Sequence, residues 1–153
     1  MDVFTVALFG HRDIDDLRLL EEKLAPLIKE LLRTKEYVAF LIGRNGEFDE
    51  FAASVIKRIQ KEVGLESSDI TLVLPYAVAD IEYYEKYYDS IVIPDAVANI
   101  HPKRAITVKN RWMVESSDTV IVYVQRAQGG AYTAMRYAQK IGKEVVNLSE
   151  LTE

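Results

Sequence analysis

Apolar residues along the chain follow two rhythms. Val3-Phe4-Thr5-Val6-Ala7-Leu8-Phe9 is an unbroken β-branched and aromatic run ending at Gly10, the pattern of a strand buried on both faces. Leu17, Leu20, Leu24, Leu27, Ile28 and Leu31 then recur every three or four residues on a charged background. That spacing predicts an amphipathic helix opened by Asp15 or Asp16 at its N-cap, with Pro26 as a candidate kink. Tyr37 to Ile42 predicts a second strand, halted by Gly43-Arg44-Asn45-Gly46. Phe48, Phe51, Ala52, Val55, Ile56, Ile59 and Val63 predict a second helix, with Gly64 at its C-cap.

The alternation continues to the end of the sequence. Ile70 to Leu74 and the short Ile91-Val92-Ile93 predict strands on either side of a helical Tyr83 to Tyr88 segment. A helix over Lys103 to Glu115 is followed by a strand from Asp118 to Val124 and a loop through Gly129-Gly130. A helix to Lys140 or Ile141 and a last strand from Glu144 to Leu148 complete the series. Strands separated by helices of this length favour right-handed crossovers, so the expected class is α/β, three-layered, with a mostly parallel open sheet and helices on both faces. No internal repeat or linker interrupts the 153 residues, and 49% of them are hydrophobic, so residues 1–153 are expected to form one domain.

Composition narrows the chemistry. With no cysteine, thiol redox and zinc-thiolate ligation are excluded. Val3 to Phe9 is too short to cross a bilayer and leads into a polar loop, not a cleavage site, so a cytoplasmic setting is expected. The net charge of −5 opposes non-specific attraction to nucleic acid or anionic lipid, which places any anion site in a local feature.

Ligands of open parallel sheets bind beyond the carboxyl ends of the strands, where strand order reverses. The loops Gly10-His11-Arg12, Gly43 to Asp49 and Gln128-Gly129-Gly130-Ala131 all leave predicted strands there. Glycines allow close backbone approach, and the following helix N-termini point N–H groups at an anion. Arg12 is placed either to hold a phosphate or carboxylate or to pair with Asp13, Asp15 or Asp16. His11 is placed either to join it or to pack at a helix start. Asp49 and Glu50 are either N-terminal helix caps or carboxylates of a site, holding ribose hydroxyls or acting on a glycosidic bond. Asn110-Arg111-Trp112 reads as a solvated helix face with one core aromatic. The tyrosines from Tyr76 to Tyr88 read as helix packing, a stacking surface or a homo-oligomer contact. His101, beside Pro102, reads as a loop residue, and no His/Asp/Glu cluster has metal-ligand spacing.

Taken together, these segments resemble the SLOG superfamily, which includes LOG-type phosphoribohydrolases and the DNA-processing DprA group. The resemblance rests on strand-Gly10-His11-Arg12, Gly43-x-x-Gly46-x-Phe48-Asp49-x-x-Ala52, Asn110-Arg111-Trp112-Met113-Val114-x-x-Ser117-Asp118, and Gly129-Gly130-Ala131 with Tyr137-Ala138. It is nearest to an uncharacterised bacterial branch with a Gly-His-Arg motif. It implies a Rossmann-like fold and a nucleotide-derived ligand held by Gly10, His11, Arg12, Gly43, Asp49, Arg111, Gly129 and Gly130, with Ala131 beside them. Arg136 stands where LOG enzymes carry a glutamate, which argues against LOG-type hydrolysis.

The functional expectation is therefore binding or sensing of a small nucleotide-derived phosphorylated ligand. The alternative is a hydrolase or transferase acting on an N-glycosidic or phosphoribosyl bond through Asp49 or Glu50. No metal or cofactor is expected. Nucleic acid is disfavoured as a partner by the negative charge and the lack of a basic, aromatic-lined stripe.

Overall fold

The first strand, β1 (Val3–Gly10), runs through the middle of a six-stranded sheet, as its doubly apolar sequence requires. The computed structural model describes residues 1–151. From β1 the chain alternates through α1 (Leu17–Thr34), β2 (Tyr37–Ile42), α2 (Glu47–Val63), β3 (Ser68–Val73), α3 (Ile81–Tyr87) and β4 (Ser90–Val92). It continues through α4 (Pro102–Ser116), β5 (Thr119–Tyr123), α5 (Gly130–Lys140) and β6 (Glu144–Asn147), with 3-10 turns at Asp95–Val97 and Leu148–Glu150. The strand order is β4-β3-β2-β1-β5-β6 and every pairing is parallel.

Side-chain alternation along the strands creates two cores. Val6 and Leu8 face one side, with Phe40, Ile42, Ile70 and Leu72, against Leu20, Leu24 and Ile28 of α1 and Phe48, Val55, Ile56 and Ile59 of α2. Ala7 and Phe9 face the other side, with Leu41, Val120 and Val122, against Met113 and Val114 of α4 and Ala131, Ala134 and Ala138 of α5. The result is the expected three-layer, Rossmann-like α/β sandwich. Each large side chain so buried contributes about 1.5–3 kcal/mol.

Local signals act as predicted, with shifts at the edges. Asp16 caps α1, accepting from Leu19 N at 3.0 Å. The helix runs through Pro26 unbroken because Pro26 and Glu22, whose carbonyl loses its partner, are both exposed to water. Gly64, at φ 115°, takes the left-handed conformation that ends α2. The last strand stops at Asn147, and Leu148 instead enters a 3-10 turn that buries it.

The connection through α4 positions the site. It carries the chain from the edge strand β4 across the sheet to β5, on the far side of β1, so strand order reverses between β1 and β5. Gly10 pairs with Tyr123, so the loops after these two neighbouring strands start level and then part. Among the described residues, no helix is long and apolar enough to cross a membrane.

Candidate functional site at the strand-order reversal

Where those loops part, a cleft of about 320 Å³ opens, walled by all three glycine-bearing loops and by α4. The first loop is built for packing before it is built for contact. A Cβ on Gly10 would lie 2.1 Å from the ring of Phe48, so glycine here admits the first turn of α2 against β1. His11 is buried, and its Nε2 accepts from Gln125 N at 2.8 Å, fastening the β5 loop to the β1 loop. Burial first, and the charge of Arg126 second, lower its pKa, and with Nε2 accepting from an amide the ring proton sits on Nδ1.

Arg12 is clasped through its backbone and open at its side chain. Its carbonyl accepts from Glu47 N, and Gly46 lies so close that a Cβ there would stand 2.5 Å from Arg12 Cα. Its Nε donates to Asn45 O at 3.1 Å. Among the described residues, Asp13, Asp15 and Asp16 form no salt bridge with it, and Arg12 lines the cleft. Arg126, exposed after β5, lines the same cleft.

In the second loop the two candidate carboxylates separate. Asp49 is not a helix cap. The N-cap of α2 is Gly46, without a side-chain bond, and Asp49 instead accepts from Asn45 N at 2.8 Å, bracing the loop. It lines the cleft floor beside Lys109 of α4, a lysine only 1% exposed. Gly43 makes room for both, since a Cβ there would stand 2.9 Å from Lys109 Nζ and 3.3 Å from Asp49 Oδ2. Burial pushes Asp49 up to about 6, opposed by the Asn45 N–H and the lysine. Burial lowers Lys109 to about 8, opposed by the carboxylate. Glu50 points away, into a separate hollow with Arg44 and tyrosines of α3.

The third loop is the open one. Gly129 has φ 95°, and a Cβ there would meet nothing within 4 Å. No side chain caps α5, so the N–H groups of its first turn face the cleft, beside Ala131. Opposite them, Asn110 is 7% exposed, and its Oδ1 is the one buried side-chain polar atom without a hydrogen-bond partner among the described residues.

Arg111 lies outside the cleft. It stacks at 4.8 Å over the Tyr137 ring and lines an adjoining hollow, which Asn110 and Gly130 separate from the main one. His101 caps α4, its Nδ1 accepting from Lys103 N at 3.1 Å. Sequence reasoning passed over Lys109, Arg126 and the inward turn of Asn110. For Lys109 a signal existed, since Ala105, Lys109 and Met113 recur at the helical interval of an apolar stripe.

The arrangement offers donors to an anion: helix amides and two arginines. Asn110 Oδ1, buried behind this surface, is an acceptor without a partner among the described residues. The cleft's only carboxylate is engaged by a backbone amide, and no His/Asp/Glu group among the described residues is set to hold a metal.

No family model and no curated protein matches the chain. Solved structures that share its fold include two DNA processing proteins. DNA processing protein A from Helicobacter pylori, described for a unique single-stranded DNA binding mode, aligns at 18% identity and TM-score 0.62, over 93% of this chain and 63% of that one. DNA processing protein A (DprA) from Streptococcus pneumoniae aligns at 16% identity and TM-score 0.65, over 93% of this chain and 49% of that one. The chain thus spans less than two thirds of either.

This likeness corrects the functional expectation. Proteins sharing the fold process DNA, and one is described by its binding of single strands, which points away from a small nucleotide-derived ligand and from an N-glycosidic or phosphoribosyl hydrolase or transferase. It also corrects the view of nucleic acid as a disfavoured partner, and the physical reason is visible. The net charge of −5 is a sum over the whole surface, whereas the cleft is lined by Arg12 and Arg126 against one carboxylate, Asp49. Arginine over tyrosine does occur, as Arg111 over Tyr137 and Arg44 over Tyr84, assembled from residues too far apart in sequence to read as a stripe. At the level of fold the chain is a DprA-like, Rossmann-like α/β structure.

Proposed function

We propose that this edge of the sheet binds single-stranded nucleic acid, with the cleft gripping the backbone and admitting an unpaired base or ribose. The free amides of α5 and the guanidinium groups of Arg12 and Arg126 take a phosphate, each charge-assisted bond worth about 1.5–3 kcal/mol. Gly129 and Gly130 keep that approach clear. His11 and Asp49 hold the loops in place, and Gly10 and Gly43 make the packing possible.

The observation that carries the reading is the uncapped start of α5 sharing one cleft with the Arg12 and Arg126 side chains. Amides and arginines suit a phosphate, and Asn110, which lines the same cleft, adds a side-chain amide for an exposed base edge. Only an unpaired strand presents base edges freely next to its phosphates. The DNA-processing proteins of the same fold add weight to a strand as the ligand. In this reading residues 1–153 act as one SLOG-like module, working in the cytoplasm, with Gly10-His11-Arg12 as its signature.

Fluorescence anisotropy on labelled oligonucleotides tests it. Single strands of about 12 nucleotides are expected to bind in preference to duplex, with affinity falling linearly in log salt. Joint replacement of Arg12 and Arg126 by alanine is expected to weaken binding about tenfold or more and flatten the salt slope by about 1–2. No binding at about 50 mM salt, or an unchanged slope in the double variant, overturns the proposal.

A further inference from the structure

Arg44 and Glu50 flank the cleft residues Asn45 and Asp49 in sequence, yet their side chains turn to the other side of the loop, into a hollow of about 300 Å³ walled by α3. Its remaining walls are Tyr83, Tyr84, Tyr87 and Tyr88. Tyr88 is buried and Tyr84 and Tyr87 half-buried, packed against the α1–α2 core. Tyr83 is different, being 66% exposed while standing edge-on to Tyr84 with ring centroids 5.2 Å apart. The Arg44 guanidinium lies 5.5 Å from the Tyr84 ring centre, and its Nη1 donates to Tyr84 Oη at 3.3 Å.

Core packing accounts for Tyr87 and Tyr88 and leaves Tyr83 and Arg44 unexplained. An apolar ring kept in water beside a half-free guanidinium forms a stacking slot. The charge of the lining selects the occupant. Glu50 repels a phosphate but accepts from an exocyclic amine, while Arg44 and the phenols donate. A neutral flat heterocycle with both donors and acceptors fits. The chain continuity from Arg44 to Asn45 places the slot next to the backbone grip.

We infer that the Arg44–Tyr83–Tyr84 hollow is a nucleobase subsite, taking the base adjacent to the nucleotide held in the cleft. The inference rests on the single-strand reading above and deepens it. One base stacked on Tyr83 contributes affinity that is insensitive to salt, because no phosphate is touched.

Binding of a normal single strand and of an equally long strand of abasic sugar-phosphate units separates the two claims. For the wild-type protein the abasic strand is expected to lose about tenfold for one base–aromatic stack, on top of any base contact in the cleft. Tyr83→Ala is expected to lose the same factor on the normal strand and nothing further on the abasic one, with the salt slope unchanged. Tyr83→Phe keeps most of the affinity, and thermal melts of the exposed-site variants match the wild type. Equal binding of the normal strand by Tyr83→Ala and wild type, or an equal loss on both strands, overturns the subsite while leaving the cleft reading intact. Failure of the wild type to bind either strand overturns both.

Discussion

The two ends of one parallel sheet are finished in opposite ways. At the N-terminal ends of the strands, polar groups answer each other. Thr5 N donates to Asp118 Oδ2 at 2.8 Å, Tyr37 Oη to Asp69 Oδ2 at 2.6 Å, Thr119 Oγ1 to Glu144 Oε1 at 2.6 Å and Lys143 Nζ to Ser117 O at 2.7 Å. The bond to Asp69 is the main reason the Tyr37 phenol is pushed up to about 12. At the C-terminal ends between β1 and β5, Arg12 and Arg126 form no salt bridge among the described residues, α5 lacks a side-chain cap and Asn110 Oδ1 has no partner. A buried polar atom left unpaired costs about 1–3 kcal/mol. The proposed single-strand site rests on this difference between the two edges.

The glycines divide along the same line, and substituting them gives the largest expected effect. Gly10→Ala forces a methyl to 2.1 Å from the buried Phe48 ring, and is expected to destabilise the fold by about 3 kcal/mol, lowering the melting temperature by about 6–12 °C. Gly130→Ala brings its Cβ no nearer than 3.8 Å to Asn110 Nδ2 and should leave stability within about 0.5 kcal/mol while impairing strand binding. Thermal melts and anisotropy on both variants check this. Equal melting temperatures would break the distinction between packing glycines and contact glycines.

That distinction also marks how far the sequence could be read. Strands β1 and β2 and helix α2 with its Gly64 stop follow from runs and spacings of apolar residues, which are local signals, whereas the adjacency of β1 and β5 comes only with the folded sheet. The reason for Gly10 is not local, because it lies in the ring of Phe48, which reaches it only once α2 packs on the sheet. The same holds for Asp49, whose partner Lys109 arrives from a helix sixty residues later in the sequence. The family resemblance implied Arg111 at the ligand, but one step along a helix from Asn110 turns a side chain by about 100°, and Arg111 lies over Tyr137. Whole-chain charge misled for a similar reason, since it adds together surfaces that never face the same ligand.

The Asp49–Lys109 pair sits beneath the open edge, and its protonation gives the next effect. The folded pKa of Asp49, about 6, lies above its ordinary value of 3.8, so between those pH values the folded state binds more protons than the unfolded. Stability from this group is present below about pH 4 and is lost as pH rises through about 6, by roughly 2–3 kcal/mol. Lys109 has the opposite displacement, down to about 8 from 10.5, so its contribution recovers above pH 8. Urea unfolding between pH 4 and 7 should show the acid-side slope in the wild type and a flatter one in Asp49→Asn. Parallel slopes would mean that the carboxylate is better solvated than its burial implies.

Two asparagines provide the finest test of the contrast. Asn147, at the end of β6, is fully engaged: its Oδ1 accepts from Val124 N at 3.1 Å and Ser149 N at 3.2 Å, and its Nδ2 donates to Val124 O at 3.0 Å. Asn147→Leu strands the amide of Val124, whose carbonyl keeps the Ser149 Oγ donor at 2.7 Å, and is expected to cost about 1–2 kcal/mol. Asn110→Leu removes an acceptor that has no partner and fills the same space with apolar atoms, so stability should stay level or rise by up to about 1 kcal/mol. Strand affinity should fall in the Asn110 variant alone. Chemical denaturation of both, read beside anisotropy, separates an amide kept for the fold from one kept for a ligand. A destabilised Asn110→Leu would place that amide in the first class and remove its support for a base in the cleft.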